Sequence, residues 1–117
     1  MKSSTSRPER VGHELKRFIA EILQTEIKDP RLSLVTITDC VVSKDLKHAK
    51  VYFTLFGDTT RVDSVLAGLN SARGFIKRRV GSNLKLRSIP EIAFYYDTSL
   101  EYGLTIDKLL HKVANEK

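Results

Sequence analysis

Six cations and no anion fall between Asp63 and Glu91, namely Arg73, Lys77, Arg78, Arg79, Lys85 and Arg87. A charge run of this kind is ordinarily a solvated helix face. The absence of local counter-charge nevertheless suits this one to phosphate oxygens, whose neutralisation by Lys and Arg releases condensed counterions. Gly74, Lys77, Arg78 and Gly81 stand at i, i+3, i+4 and i+7, so a helix carries them on one face, with two cations flanked by two positions that lack a side chain. A nucleic-acid backbone can approach such a face closely. Arg79 projects ~100° further round, as ~3.6 residues per turn requires. Arg7 and Arg10, with Lys2 ahead of them, offer a second basic segment, equally consistent with solubilising charge.

Covalent and metal chemistry find little support. His13, His48 and His111 are scattered singly, without a nucleophile or carboxylate at a diagnostic spacing, and Cys40 has no second cysteine or nearby histidine to share a zinc ion. Cys40 lies in an apolar run, where a small buried thiol is the ordinary outcome. Asp97, Glu101 and Asp107 gather around an expected helix start, a place where carboxylates favour the positive end of the helix dipole without reacting. No glycine loop of the nucleotide-binding kind is present. The expectation is therefore a non-enzyme with no cofactor, no metal and no catalytic residue; a metal-dependent nuclease built from distant carboxylates is the competing catalytic reading. Tyr52, Tyr95, Tyr96 and Tyr102 would stack on unpaired bases if exposed, but most are expected to pack against the core.

Positioning these residues falls to a short series of elements. Ser6 and Glu9, with Pro8 between them, have the form of a capping box. Val11, Leu15, Phe18, Ile19, Ile22, Leu23 and Ile27 then recur at helical spacing, and Asp29 before Pro30 is the expected helix end. Burying such a stripe contributes on the order of 10 to 20 kcal/mol at ~1.5 to 3 per side chain, an upper bound. Leu34 to Val42 and Ala49 to Phe56 read as two strands joined through Ser43 to Lys47 as a hairpin. After a turn from Gly57 to Thr60, Val62, Val65, Leu66, Leu69 and Ala72 make a second helix. Phe75, Ile76, Val80 and Leu84 continue it, but Gly74 weakens it by ~1 kcal/mol, so two helices are expected to meet there. A third strand spans Glu91 to Tyr96, and a last helix carries Tyr102, Ile106, Leu109, Leu110 and Val113 after a capping pair of Thr98 and Glu101. Helices on one face of a three-stranded sheet, an α+β fold, satisfy this order.

The chain has 117 residues, the size of one domain, with a mobile tail expected over 1–5, a folded unit over 6–114 and a short tail over 115–117. Lys and Arg number 20 against 14 Asp and Glu, an excess that favours polyanionic partners, nucleic acid or an anionic membrane. No run approaches the ~20 apolar residues of a transmembrane helix, and the first ten residues lack a signal-peptide core. Neither a lipidation signal nor an aromatic-rich exposed face supports membrane binding, so a soluble, cytoplasmic, monomeric chain is expected. A protein module docking an acidic partner competes with the nucleic-acid reading.

Five segments in order resemble the ribosome-binding factor A family: Arg10-Val11-Gly12, Lys28-Asp29-Pro30-Arg31, Ala72-Arg73-Gly74-Phe75-Ile76, Leu86-Arg87-Ser88-Ile89-Pro90-Glu91, and Phe94-Tyr95-Tyr96-Asp97-Thr98-Ser99. The resemblance covers roughly Ser6 to Val113. It implies a type II KH-like domain in which an Ala-x-Gly kink, matched by Ala72-Arg73-Gly74, stands where other KH domains carry a Gly-x-x-Gly loop. It further implies a non-catalytic assembly factor that binds the small (30S) ribosomal subunit and its 16S rRNA. Late maturation and 5′-end processing in the cold would be its task, and other factors, such as a ribosome-dependent GTPase, would release it.

Overall fold

A computed structural model describes residues 6–57, 59–86 and 88–99 of the chain. The expected last helix, from residue 100 onward, and the expected tails lie outside the described residues, as does Arg87. Helix α1 spans Arg7–Thr25 and opens on the capping box: Ser6 Oγ accepts from the Glu9 amide at 3.3 Å, and Glu9 Oε1 accepts from the Ser6 amide at 3.5 Å. Val11, Leu15, Ile19, Ile22 and Leu23 form its buried stripe, with Phe18 and Ile27 packed partly against the core. The helix stops at Thr25, four residues short of Asp29. Pro30 holds Asp29 extended, at φ −104° and ψ 116°, and the chain meets that restriction by unwinding from Glu26.

Strand β1 (Val35–Val42) pairs antiparallel with β2 (His48–Leu55), from Val35 opposite Leu55 to Val42 opposite Ala49. A bulge between Ile37 and Asp39 shifts the alternation, so that Ile37, Cys40 and Val42 all face inward. Helix α2 (Val62–Asn83) then crosses over to β3 (Glu91–Tyr96), which lies parallel to β2 with His48 opposite Glu91 and Phe53 opposite Tyr96. The sheet order is β1-β2-β3. Ala49, Val51, Phe53, Leu55, Ile92 and Phe94 complete the inner face under the two helices. The outer face keeps Val41 and Tyr95 exposed, with the Tyr95 ring 5.8 Å from that of Tyr52. This is the expected α+β arrangement, with helices on one side of three strands.

One expectation changes. Instead of two helices meeting at Gly74, α2 runs unbroken for 22 residues through Ala72-Arg73-Gly74. Gly74 keeps a right-handed backbone, since Gly57 alone among the described glycines has a positive φ. Completely buried Ile76 and Val80 continue the stripe of Val65 and Leu69, and that packing outweighs the ~1 kcal/mol a glycine costs mid-helix.

Candidate nucleic-acid interface

The acid-free stretch of sequence is not acid-free in space. Lys77 Nζ lies 2.5 Å from Oε1 of Glu91 at the start of β3. Lys77, by hydrogen bond first and by charge second, holds the Glu91 carboxyl below its ordinary range. Arg79 grips Glu26, just past α1, with Nε to Oε1 at 2.7 Å and Nη2 to Oε2 at 3.3 Å. Two of the expected phosphate ligands thus tie α2 to β3 and to the end of α1. Arg73 and Arg78 are exposed and form no ion pair among the described residues, and the same holds for Arg7, Arg10 and Lys85.

The two glycines of the expected face behave differently. A Cβ on Gly74 would meet only Arg78 Nη1, at 3.6 Å, so this position is open to an approaching backbone apart from a guanidinium. At Gly81 a Cβ would overlap the Ile89 side chain. Gly81 is exposed like Gly74, but the place a Cβ would take there belongs to Ile89 of the α2–β3 connection.

Arg7 and the α2–β3 connection, eighty residues apart in the chain, meet at a cavity of about 220 Å³. Val11, Leu46, Leu86 and Pro90 give it apolar walls; Arg7, Asp45 and Ser88 give it polar ones. The hairpin turn contributes Asp45 and Leu46, and Leu46 has φ +62°, the only positive value for a non-glycine among the described residues. Asp45 Oδ1 fixes the turn by accepting from Ser43 Oγ at 2.6 Å and from the Lys47 amide at 3.0 Å. Neither Asp45 nor Leu46 is singled out by the sequence reading; a polar turn between strands gives no sign of a site.

Cys40 is buried, and desolvation first, the Asp39 charge second, pushes its thiol up to about 12. Among the described residues no three His, Cys, Asp or Glu side chains gather as a metal site, and no helix is long and apolar enough to cross a membrane.

The family model described as ribosome-binding factor A matches residues 7–110. The chain belongs to the ribosome-binding factor A family. Among its relatives is the ribosome-binding factor A of Staphylococcus carnosus, 46% identical over an alignment of 112 residues that covers 93% of this chain and 97% of that one. The crystal structure of ribosome-binding factor A from Thermus thermophilus superposes with a TM-score of 0.69 at 26% identity, covering 78% of this chain and 97% of that chain. A homology model of Thermus thermophilus ribosome-binding factor A, fitted into a cryo-EM map of a 30S complex, matches with a TM-score of 0.62 at 28% identity, over 74% of this chain and 91% of that chain. All five segments that carry the resemblance fall within the matched range.

Proposed function

We propose that this chain is a non-catalytic assembly factor that binds the free small (30S) ribosomal subunit, contacts its 16S rRNA and assists late maturation and 5′-end processing of that RNA. The observation that carries this reading is the match to a Thermus thermophilus chain fitted on a 30S complex, over 91% of that chain's length. Arg73 and Arg78, exposed and without an ion pair among the described residues, supply with the open Gly74 position the physical means, because phosphate contacts supply affinity and shape-reading surfaces suit folded RNA. Exposed Arg7, Arg10 and Lys85 add to the basic surface, and Arg87 is a further cation of the sequence.

The protein acts as a monomer in the cytoplasm, without a cofactor and without a membrane. Its help matters most in the cold, where misfolded RNA helices escape slowly, and other factors such as a ribosome-dependent GTPase release it from the matured subunit. Sedimentation of a cell extract tests the reading. The chain is expected in the fractions of free small subunits, with precursor 16S rRNA accumulating when it is depleted at low temperature. A chain that stays at the top of the gradient, with normal rRNA in depleted cells, would overturn it.

A further inference from the structure

The cavity beneath the hairpin turn has features that a charge surface alone does not need. Its volume of about 220 Å³ lies under the ~300 Å³ at which drug-sized sites begin, so it suits a single ring system. Four apolar side chains wall it together with three polar ones, Arg7, Asp45 and Ser88, so it offers a ring both apolar contact and hydrogen-bonding partners. Four hydrogen bonds hold the turn in its strained form: Ser43 Oγ and the Lys47 amide to Asp45, the His48 amide to Ser43 Oγ at 3.1 Å, and the Leu46 amide to the Ser43 carbonyl at 2.9 Å. Strain of this kind persists only where surrounding structure enforces it. Here it brings Leu46 into the cavity wall beside Asp45. Asp45 Oδ1 is occupied twice, whereas Oδ2 accepts no bond among the described residues. Basic side chains adjoin in the chain: Arg10 precedes Val11, Lys44 precedes Asp45, and Lys85 precedes Leu86. A wider hollow beside Ile27 and Pro30 has Lys28 as its one cation, offset by Asp29.

We propose that this cavity takes one unstacked nucleobase of a single-stranded RNA segment, and that Asp45 Oδ2 reads its exocyclic amino group. The inference rests on the RNA-binding reading and adds a base-specific subsite to it. Unpaired RNA is recognised by splayed bases held between side chains and read on their polar edges. Val11, Leu46, Leu86 and Pro90 enclose the ring, and Arg7 at the rim faces the flanking phosphate. Hydrogen bonds from Ser43 first and the Lys47 amide second lower the Asp45 pKa, so the carboxylate is ionised at neutral pH and only accepts. Cytosine, adenine and guanine present an amino donor. Uracil presents an N3–H flanked by two carbonyl oxygens, which a carboxylate repels.

Fluorescence anisotropy with end-labelled hexacytidylate and hexauridylate tests this, since the two bases share a ring size and differ at the amino group. The wild-type chain is expected to bind hexacytidylate about tenfold more tightly, the scale of one hydrogen bond to a charged acceptor. Asp45→Asn keeps Oδ1 for the turn and replaces Oδ2 by a donor, so the preference should vanish or invert towards uracil. Leu86→Trp, which fills the cavity, should bring both oligonucleotides to one lower affinity. Equal binding of the two by the wild type, no binding of either, or a preference unchanged in both variants would overturn the proposal. Loss of small-subunit binding in Leu86→Trp with oligonucleotide binding intact would also overturn it, in favour of a ribosomal-protein segment in the same cavity. The assembly-factor reading is judged separately, by sedimentation.

Discussion

Gly12 of α1 rides so closely over Cys40 of β1 that a Cβ on the glycine would stand 2.6 Å from the Cys40 carbonyl oxygen. That neighbour is backbone in the middle of a strand and cannot swing aside. Gly12→Ala should therefore push α1 off the sheet and cost about 1 to 3 kcal/mol, despite the ~1 kcal/mol alanine gains in a helix. Urea denaturation reads the change; a midpoint at or above that of the wild type would contradict the close approach.

The same substitution at Gly74 should have the opposite sign. With a right-handed backbone and only Arg78 Nη1 at 3.6 Å, Gly74→Ala should stabilise the chain by up to about 1 kcal/mol. Loss of small-subunit binding in this stabilised variant would place the RNA contact at the open position itself. A destabilised variant would mean that Gly74 is needed for the fold.

Basic residues of α2 should divide into two groups under charge reversal. Arg73→Glu with Arg78→Glu removes exposed cations that form no ion pair among the described residues, so stability should stay within about 0.5 kcal/mol while affinity for small subunits falls and its salt dependence flattens. Arg79→Glu instead sets a carboxylate against Glu26 and should lose about 1 kcal/mol, a modest figure because the pair is partly solvated. Equal melting temperatures for Arg79→Glu and the wild type would argue against the Arg79–Glu26 tie.

Asp97 couples the outer strands across β2, accepting from Thr38 Oγ1 at 2.6 Å and from the Ser99 amide at 2.9 Å. Ser99 first and Thr38 second hold its carboxyl below the ordinary value of 3.8. A carboxyl lowered in the folded state adds stability above its unfolded pKa, and that share is lost as pH falls through the folded pKa. Asp97→Asn should therefore lower the urea midpoint at pH 7, and the gap from wild type should close as pH falls below the ordinary carboxyl value of 3.8 and the wild-type carboxyl protonates. A gap that stays constant across that range would remove the linkage.

The Cys40 thiol, pushed up to about 12 by burial, should ignore an aromatic disulfide reagent at pH 8 in the native chain and react at once in denaturant. Rapid native labelling would mean that β1 opens under α1.

Features governed by near neighbours were legible in the sequence. The capping box at Ser6 and Glu9 forms as expected, because both partners lie within one helical turn, and β3 begins and ends where Pro90 and its apolar alternation place it. The bulge at Ile37 to Asp39 was not, since it depends on what β2 offers opposite. The basic face was only half legible: Lys77 finds Glu91 fourteen residues on, and Arg79 finds Glu26 fifty-three residues back, partners no local window can supply. Gly81 is exposed, yet Ile89 stands where its Cβ would be, a contact that comes from eight residues on. The cavity needs three segments at once, and none of them is unusual alone.

The parallel pairing of β2 with β3 sets an order on synthesis. Once residue 57 has left the exit tunnel, α1 and the β1–β2 hairpin can close, but the second edge of β2 stays bare until α2 has crossed and Glu91–Tyr96 has followed. During that interval Val51 and Phe53, both completely buried in the finished chain, sit beside an unpaired strand edge. Nascent chains held with β2 outside the tunnel and Glu91–Tyr96 still inside it therefore carry an open β edge that sticks to others of its kind, and only pairing with β3 closes that edge.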